Sequence, residues 1–260
     1  MATQQPSVDP ASEAVWREAL LKGHAGRWAF LPSDPRCTFC AQPFHGVGGR
    51  LLRTLTGYAP SRNSPNVCNY CEQQLPIGGA EVDTAVLFAD VRGSTALGER
   101  LGATQYAALL NRFYHATAEV LVREEGWIDK FVGDEIMGLY VPAMGADYRE
   151  RAVQHGLRLL EAVGYGSGEE PWLPVGVGVH AGPAFVGKIG REGAAQVTAL
   201  GDTVNTTARL QGAAAPGECV VSEELYATVA SRYPDAERRA LDLRGKEAPF
   251  AVRVLRPQLH

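Results

Sequence analysis

The sequence predicts a mixed fold of strands and helices joined to a small four-cysteine module, and three observations carry that expectation. Continuous runs of strand length, rich in apolar residues, occur at Thr84–Ala89 and, with valines and glycines alternating, at Val175–Val179. Between them lies a stripe at helical spacing: Tyr106, Leu109, Leu110, Phe113, Tyr114, Thr117, Val120 and Leu121. Ahead of both, Cys37/Cys40 and Cys68/Cys71 form two Cys-x2-Cys pairs separated by 27 residues.

At 260 residues the chain is long for one domain and short for two, and 45% hydrophobic content is ample for a core. A formal net charge of −4 gives no reason to expect a polyanion as the main partner. The longest apolar runs, such as Ala85–Ala89, fall far below the roughly 20 residues that a bilayer requires. The opening MATQQPSVDPASEA lacks the basic-then-apolar pattern of a secretory signal. The expectation is a cytoplasmic protein with no membrane partner and no structural disulfides.

Residues 1–10 read as a disordered start, and Ala14, Val15, Trp16, Leu20 and Leu21 as a short amphipathic helix ending near Gly23–Gly26. That helix packs on its own chain or on another subunit. The organisation expected is a tail and helix over 1–30, a cysteine module over 31–76 and a larger domain over 80–258, with Leu75–Gly79 as the linker.

Each cysteine knuckle places two thiolates on one turn, and two knuckles close a tetrahedral site of the kind that holds structural zinc. An iron–sulfur cluster uses the same ligand count, and a thiol redox pair is a minor option. Arg36, Arg50, Arg53 and Arg62 make the segment locally basic, which fits a solvated loop better than a nucleic-acid site. Cys219, alone among apolar residues, reads as core.

In the larger domain, the first strand ends at Asp90 and is followed by Gly93-Ser94-Thr95, a turn into a helix that either exposes N–H groups to a phosphate or caps the helix. The stretch KFVGDEIMGLY pairs two strand runs, Phe131–Val132 and Ile136–Tyr140, around Gly133-Asp134-Glu135. A second helix is expected from Tyr148 to Val163. Glycines alternating with valines in Val175–Val179 leave one strand face bare, as where another element packs close. His180 reads as structural. After a strand at Gln196–Leu200, Asp202 or Thr203 caps a helix that carries Asn205 and Arg209 on one face. Strand runs near Glu218–Ser222 and Phe250–Leu255 enclose the basic turn Leu243–Lys246. Two strand-end carboxylates, a phosphate turn and an Arg–Asn pair suit metal-assisted phosphoryl or nucleotidyl transfer.

Residues 82–256 resemble the catalytic domain of the class III nucleotidyl cyclases. The matching motifs, in the family's order, are LFADVRGST (Leu87–Thr95), KFVGDEIM (Lys130–Met137), VGVGVHAGPAFVGKIG (Val175–Gly190) and ALGDTVNTTARL (Ala199–Leu210). The resemblance implies a ferredoxin-like α+β sandwich working as a head-to-tail homodimer with two composite sites. It implies that Asp90 and Asp134, with the Val91 carbonyl, bind two Mg²⁺ or Mn²⁺ ions, one activating the ribose 3′-hydroxyl and one holding the triphosphate. Asn205 would orient the ribose and Arg209 would stabilise the α-phosphoryl charge in the transition state. Gly93, Ser94 and Thr95 would meet phosphate, and Arg244 and Lys246 are rival matches to the triphosphate-binding lysine. Lys130 matches the purine-reading lysine, and Thr198 stands where many relatives have Asp. Thr there resembles the subgroup that includes bicarbonate-responsive adenylyl cyclases, which favours ATP. A guanylyl cyclase and a catalytically silent nucleotide-binding signalling protein are the alternatives. Pro183 stands where some relatives carry Arg. The cysteine segment looks like the zinc-ribbon-type module of some bacterial soluble cyclases, with a structural or regulatory role. Finally, an extended chain would set Lys130 and Asp134 about 13 Å apart, which favours their serving opposite sites of a dimer.

Overall fold

The computed structural model describes residues 9–22, 28, 30–31, 35–61, 66–123, 126–191, 195–243, 245 and 248–258. Arg62, Arg244, Lys246, residues 1–8 of the start expected over 1–10 and the helix stop expected near Gly23–Gly26 therefore lie outside the described residues, whereas Pro10 already belongs to a helix.

The elements run α1 (Pro10–Lys22), α2 (Gly46–Thr56), α3 (Asn69–Gln74), β1 (Gly78–Val91), α4 (Ser94–Leu101), α5 (Ala103–Arg123), β2 (Trp127–Val132), β3 (Glu135–Tyr140), α6 (Tyr148–Ala162), β4 (Val175–Ile189), β5 (Gln196–Leu200), α7 (Asp202–Ala213), β6 (Cys219–Ser222), α8 (Glu223–Tyr226), β7 (Glu237–Leu241) and β8 (Phe250–Leu255). The sheet order is β2-β3-β1-β4-β6-β8-β7, with β5 paired to β4. Its first four strands form the antiparallel ferredoxin-like arrangement, an α+β fold. Two crossovers, α4–α5 and α6, connect them.

Side chains alternate across β1. Ala85, Leu87, Ala89 and Val91 pack with Phe113 and Leu121 of α5 and Leu157 and Leu160 of α6. Val82, Val86 and Phe88 point the other way, into a core shared with Trp16 and Leu20 of α1, the four clustered cysteines and Val204 and Ala208 of α7. Helix α1 thus packs on its own chain, where Trp16 is fully buried and its Nε1 donates to the Pro76 carbonyl at 3.0 Å.

Three elements differ from expectation. Gly78 and Gly79 open β1 instead of closing a linker, because Gly79 lies against β4 so closely that a Cβ would meet the Val186 carbonyl oxygen at 2.5 Å. Strand β4 runs past His180 to Ile189, since its outer half finds partners in both β1 and β5. Strand β7, with the polar sequence ERRAL, has no apolar alternation to announce it and lies at the sheet edge beside β8. His180 sits inside β4, its Nδ1 2.9 Å from Ser222 Oγ.

The bare face of β4 is filled as its composition implies. Gly178 faces the Gln211 backbone of α7, and Gly176 faces the Arg92 guanidinium, whose Nε would lie 2.5 Å from an added Cβ. Helix α7 can approach the sheet this closely only over glycine.

Candidate active site and cysteine cluster

Antiparallel pairing sets Asp90 of β1 opposite Glu135 of β3. The β2–β3 turn, with Gly133 at φ 61, then delivers Asp134 to the end of β1, where the Val91 N–H donates to the Asp134 carbonyl at 3.4 Å. Burial, and next the charge of Asp134, holds the Asp90 carboxyl above its ordinary range, while Arg92 at 3.6 Å opposes this. Glu135 is raised too, by burial and then by Asp90 and Asp134. Carboxylates gathered on a half-buried strand end repel one another, and a hard divalent cation relieves that repulsion. The carboxylate oxygens of Asp90 and Asp134 are hard donors of the kind that Mg²⁺ or Mn²⁺ takes. Tyr114 steadies the turn by donating to the Gly133 carbonyl and packing on Phe131, ring centroids 4.5 Å apart.

Gly93, left-handed at φ 68, is the N-cap of α4 and carries no capping side chain. Of the two readings of Gly93-Ser94-Thr95, side-chain capping is absent at the N-cap, and the first turn of α4 begins three residues beyond Val91 with Ser94 and Thr95 at its start.

Lys130 and Thr198, far apart in sequence, are brought together: Lys130 Nζ lies 3.2 Å from Thr198 Oγ1. Sequence reasoning missed a third member, Asp129. Its Oδ2 accepts from Thr198 Oγ1 at 2.8 Å and lies 3.4 Å from Lys130 Nζ. Arg92 was also missed; it joins β1 to α7 by donating to the Gln211 carbonyl. Arg92 stood in the LFADVRGST motif, but only the fold reveals what it reaches.

Asn205 and Arg209 lie one turn apart on α7, the first exposed and the second half-buried. Gly245, within the basic turn, comes so near that its added Cβ would be 4.0 Å from Arg209 Nη1. Gly245 thus borders Arg209 of α7. Lys130 joins Thr198, while Asp134 joins Asp90.

The four sulfurs of Cys37, Cys40, Cys68 and Cys71 lie within 4.8 Å of one another, all four residues buried. Cys40 Sγ and Cys68 Sγ are 3.8 Å apart. A tetrahedron with Zn–S bonds of about 2.3 Å has edges of about 3.8 Å, so the cluster fits zinc. N–H groups of Cys68 and Cys71 donate to the sulfurs of Cys37 and Cys68, each at 3.3 Å, as suits thiolate acceptors. Cys219 is buried in the main core, where burial pushes its thiol up.

Comparison with known proteins agrees with this geometry. Residues 80–254 match the adenylate and guanylate cyclase catalytic domain. An uncharacterized protein of Mycobacterium tuberculosis is 30% identical over 188 residues, covering 70% of this chain and 35% of that protein. An adenylate cyclase of Anabaena cylindrica is 25% identical over 179 residues, covering 63% of this chain and 34% of that one. The matched region thus spans about a third of each of these relatives. The crystal structure of a guanylyl cyclase superposes with a TM-score of 0.59 at 28% identity, covering 68% of this chain and 93% of that one. The adenylyl cyclase CyaB from P. aeruginosa gives a TM-score of 0.59 at 26% identity, with coverage of 69% and 97%. Its strand order, paired carboxylates and matched length make this chain a member of the adenylate and guanylate cyclase catalytic-domain family.

Proposed function

We propose that the protein is a cytoplasmic adenylyl cyclase, converting ATP to 3′,5′-cyclic AMP and pyrophosphate at two composite sites of a homodimer. The observation that carries this is the convergence of Asp90 and Asp134 beside the Gly93 turn. Bound there, Mg²⁺ or Mn²⁺ would lower the pKa of the ribose 3′-hydroxyl and neutralise the triphosphate. The first turn of α4 and the basic turn at Arg244 and Lys246 bind phosphate oxygens. Asn205 holds the ribose in line for attack on the α-phosphorus. Arg209 meets the charge that develops there, a kind of contribution whose loss typically costs on the order of 10²–10³ in turnover.

ATP is favoured over GTP by the joining of Lys130 to Thr198. The lysine donates to adenine N1, and the threonine hydroxyl accepts from the 6-amino group. The homodimer is supported by the spacing of Lys130 and Asp134, which an extended chain sets about 13 Å apart, since one nucleotide needs both. It is further supported by a groove of about 910 Å³ that exposes Ile77, Ile189 and Leu200. No helix among the described residues is long and apolar enough to cross a membrane.

The cysteine cluster holds structural zinc and regulates the domain through β2. Phe39, inside the first knuckle, meets Trp127 edge-on with centroids 5.7 Å apart.

The test is cyclic AMP formation by purified protein from Mn·ATP and from Mn·GTP, with Asp90→Ala and Asp134→Ala beside the native chain. Both variants should lose activity. Near-normal turnover by either overturns the metal assignment, and turnover of GTP alone overturns the choice of base.

A further inference from the structure

Asp129 sits where β2 departs from regular pairing. Ile128 pairs with Gly138 and Lys130 with Met137, so Asp129 is the extra residue of a β-bulge. Bulges re-aim side chains and gather near active sites. Here the bulge sends a carboxylate inward: the Asp129 side chain is 1% exposed. Its Oδ1 is buried with no hydrogen-bond partner among the described residues, and its Oδ2 binds Thr198 and Lys130. A buried carboxylate half satisfied is costly to keep, and burial pushes its carboxyl up while Thr198 and Lys130 oppose that.

We infer that Asp129 is a positioning residue that fixes the Thr198 hydroxyl as an acceptor toward the nucleotide and so sets the preference for a 6-amino purine over a 6-oxo purine. The inference rests on the adenine reading above and explains what threonine alone cannot. A hydroxyl has one proton and two lone pairs. A free threonine would rotate to donate to the guanine carbonyl as readily as it accepts from the adenine amino group. In this protein the proton goes to Asp129 Oδ2 at 2.8 Å, and Lys130 Nζ at 3.2 Å takes one lone pair. What remains is a single acceptor. An amino group satisfies it, whereas a carbonyl meets lone pair against lone pair. A site whose polar groups are committed in this way rejects the mismatched analogue far more strongly than a site that can re-orient.

The test is the ratio of kcat/KM for Mn·ATP to that for Mn·GTP in the native chain, Asp129→Ala, Asp129→Asn, Thr198→Val and the Asp129→Ala/Thr198→Val double variant. Asp129→Ala should reduce the ratio by roughly tenfold or more, the worth of one charge-assisted hydrogen bond. Asp129→Asn should keep most of it, because Lys130 holds the amide oxygen toward Thr198. The double variant should lose no more than the worse single one. If Asp129→Ala lowers turnover of both nucleotides equally with the ratio unchanged, Asp129 is only structural and the inference fails. A native protein that does not prefer ATP overturns the adenine reading first, a distinct result. Should Asp129→Ala fail to fold, the native chain still decides. Inosine triphosphate, with its 6-oxo group, should be a poorer substrate than purine riboside triphosphate, which has hydrogen there. Equal or better use of inosine triphosphate overturns the inference.

Discussion

Asn66 stands two residues before Cys68, and its Oδ1 accepts the main-chain N–H of Ile128 at 3.2 Å. Its carbonyl meanwhile accepts from both the N–H and the hydroxyl of Thr38, beside Cys37. One asparagine therefore ties both cysteine knuckles to the strand that carries Asp129 and Lys130.

With zinc held as proposed, a strong chelator, or replacing Cys68 by Ser, should loosen this tie. With the site intact, Asn66→Ala should cost about 1–3 kcal/mol for the buried N–H it leaves unpaired. In a chain of this size each kcal/mol lowers Tm by roughly 2–4 °C. Thermal unfolding with and without chelator checks the first effect. On the proposed reading, in which Lys130 of β2 meets the base, the kinetic expectation for Asn66→Ala is a higher KM for ATP.

Lys130→Ala and Asp134→Ala chains should each be inactive alone and regain activity on mixing. In each heterodimer one site combines both lesions and the other combines two intact contributions. Random exchange of equal amounts makes half the dimers heterodimeric, each with one working site, so about a quarter of native turnover should return. Recovery is read as cyclic AMP formation after mixing, with exchange confirmed by differently tagged chains. Exchange without recovery would show that one chain supplies both residues to one site.

Replacing Gly178 by Ala should be severely destabilising, because the new methyl would overlap the Gln211 backbone and no side-chain rotation relieves that. Overpacking of this kind costs about 1–3 kcal/mol, and more when the neighbour is main chain. Since α7 carries Asn205 and Arg209, activity should fall further than the loss of folded protein explains. Comparing turnover per folded molecule, with the folded fraction taken from circular dichroism, separates the two effects.

How legible this was from sequence depends on the kind of signal. Strand β1, helices α5 and α6 and the β2–β3 turn are written in local apolar patterns and one glycine, so they could be read directly. The bare face of β4 announced a close neighbour, though not that the neighbour was α7 and Arg92. Asp129 escaped because its meaning comes from a bulge and from Thr198, 69 positions away. An Asp next to a Lys in sequence looks like any solvated pair. Strand β7 escaped because its outward residues are charged and its pairing with β8 is what holds it.

The last prediction concerns the carboxylate that fastens this same edge. Burial pushes the Glu218 carboxyl up, but hydrogen bonds from Arg239, the Ala215 N–H and Arg256 more than reverse this, bringing it down to about 2 from an ordinary 4.5. A carboxylate whose folded pKa is depressed contributes stability in full above the unfolded value and loses it as pH falls through the folded one. Here the window runs from about 4.5 down to about 2. The two arginines are 30% and 51% exposed, so solvent weakens the pairing. Discounted for that screening, the contribution is on the order of 2 kcal/mol. Glu218→Gln should lose about that much at neutral pH. The difference from the native chain should shrink steadily below pH 4.5 and vanish near pH 2, as followed by urea unfolding across that range. A constant difference over the whole range would mean that Glu218 acts through shape and not through charge.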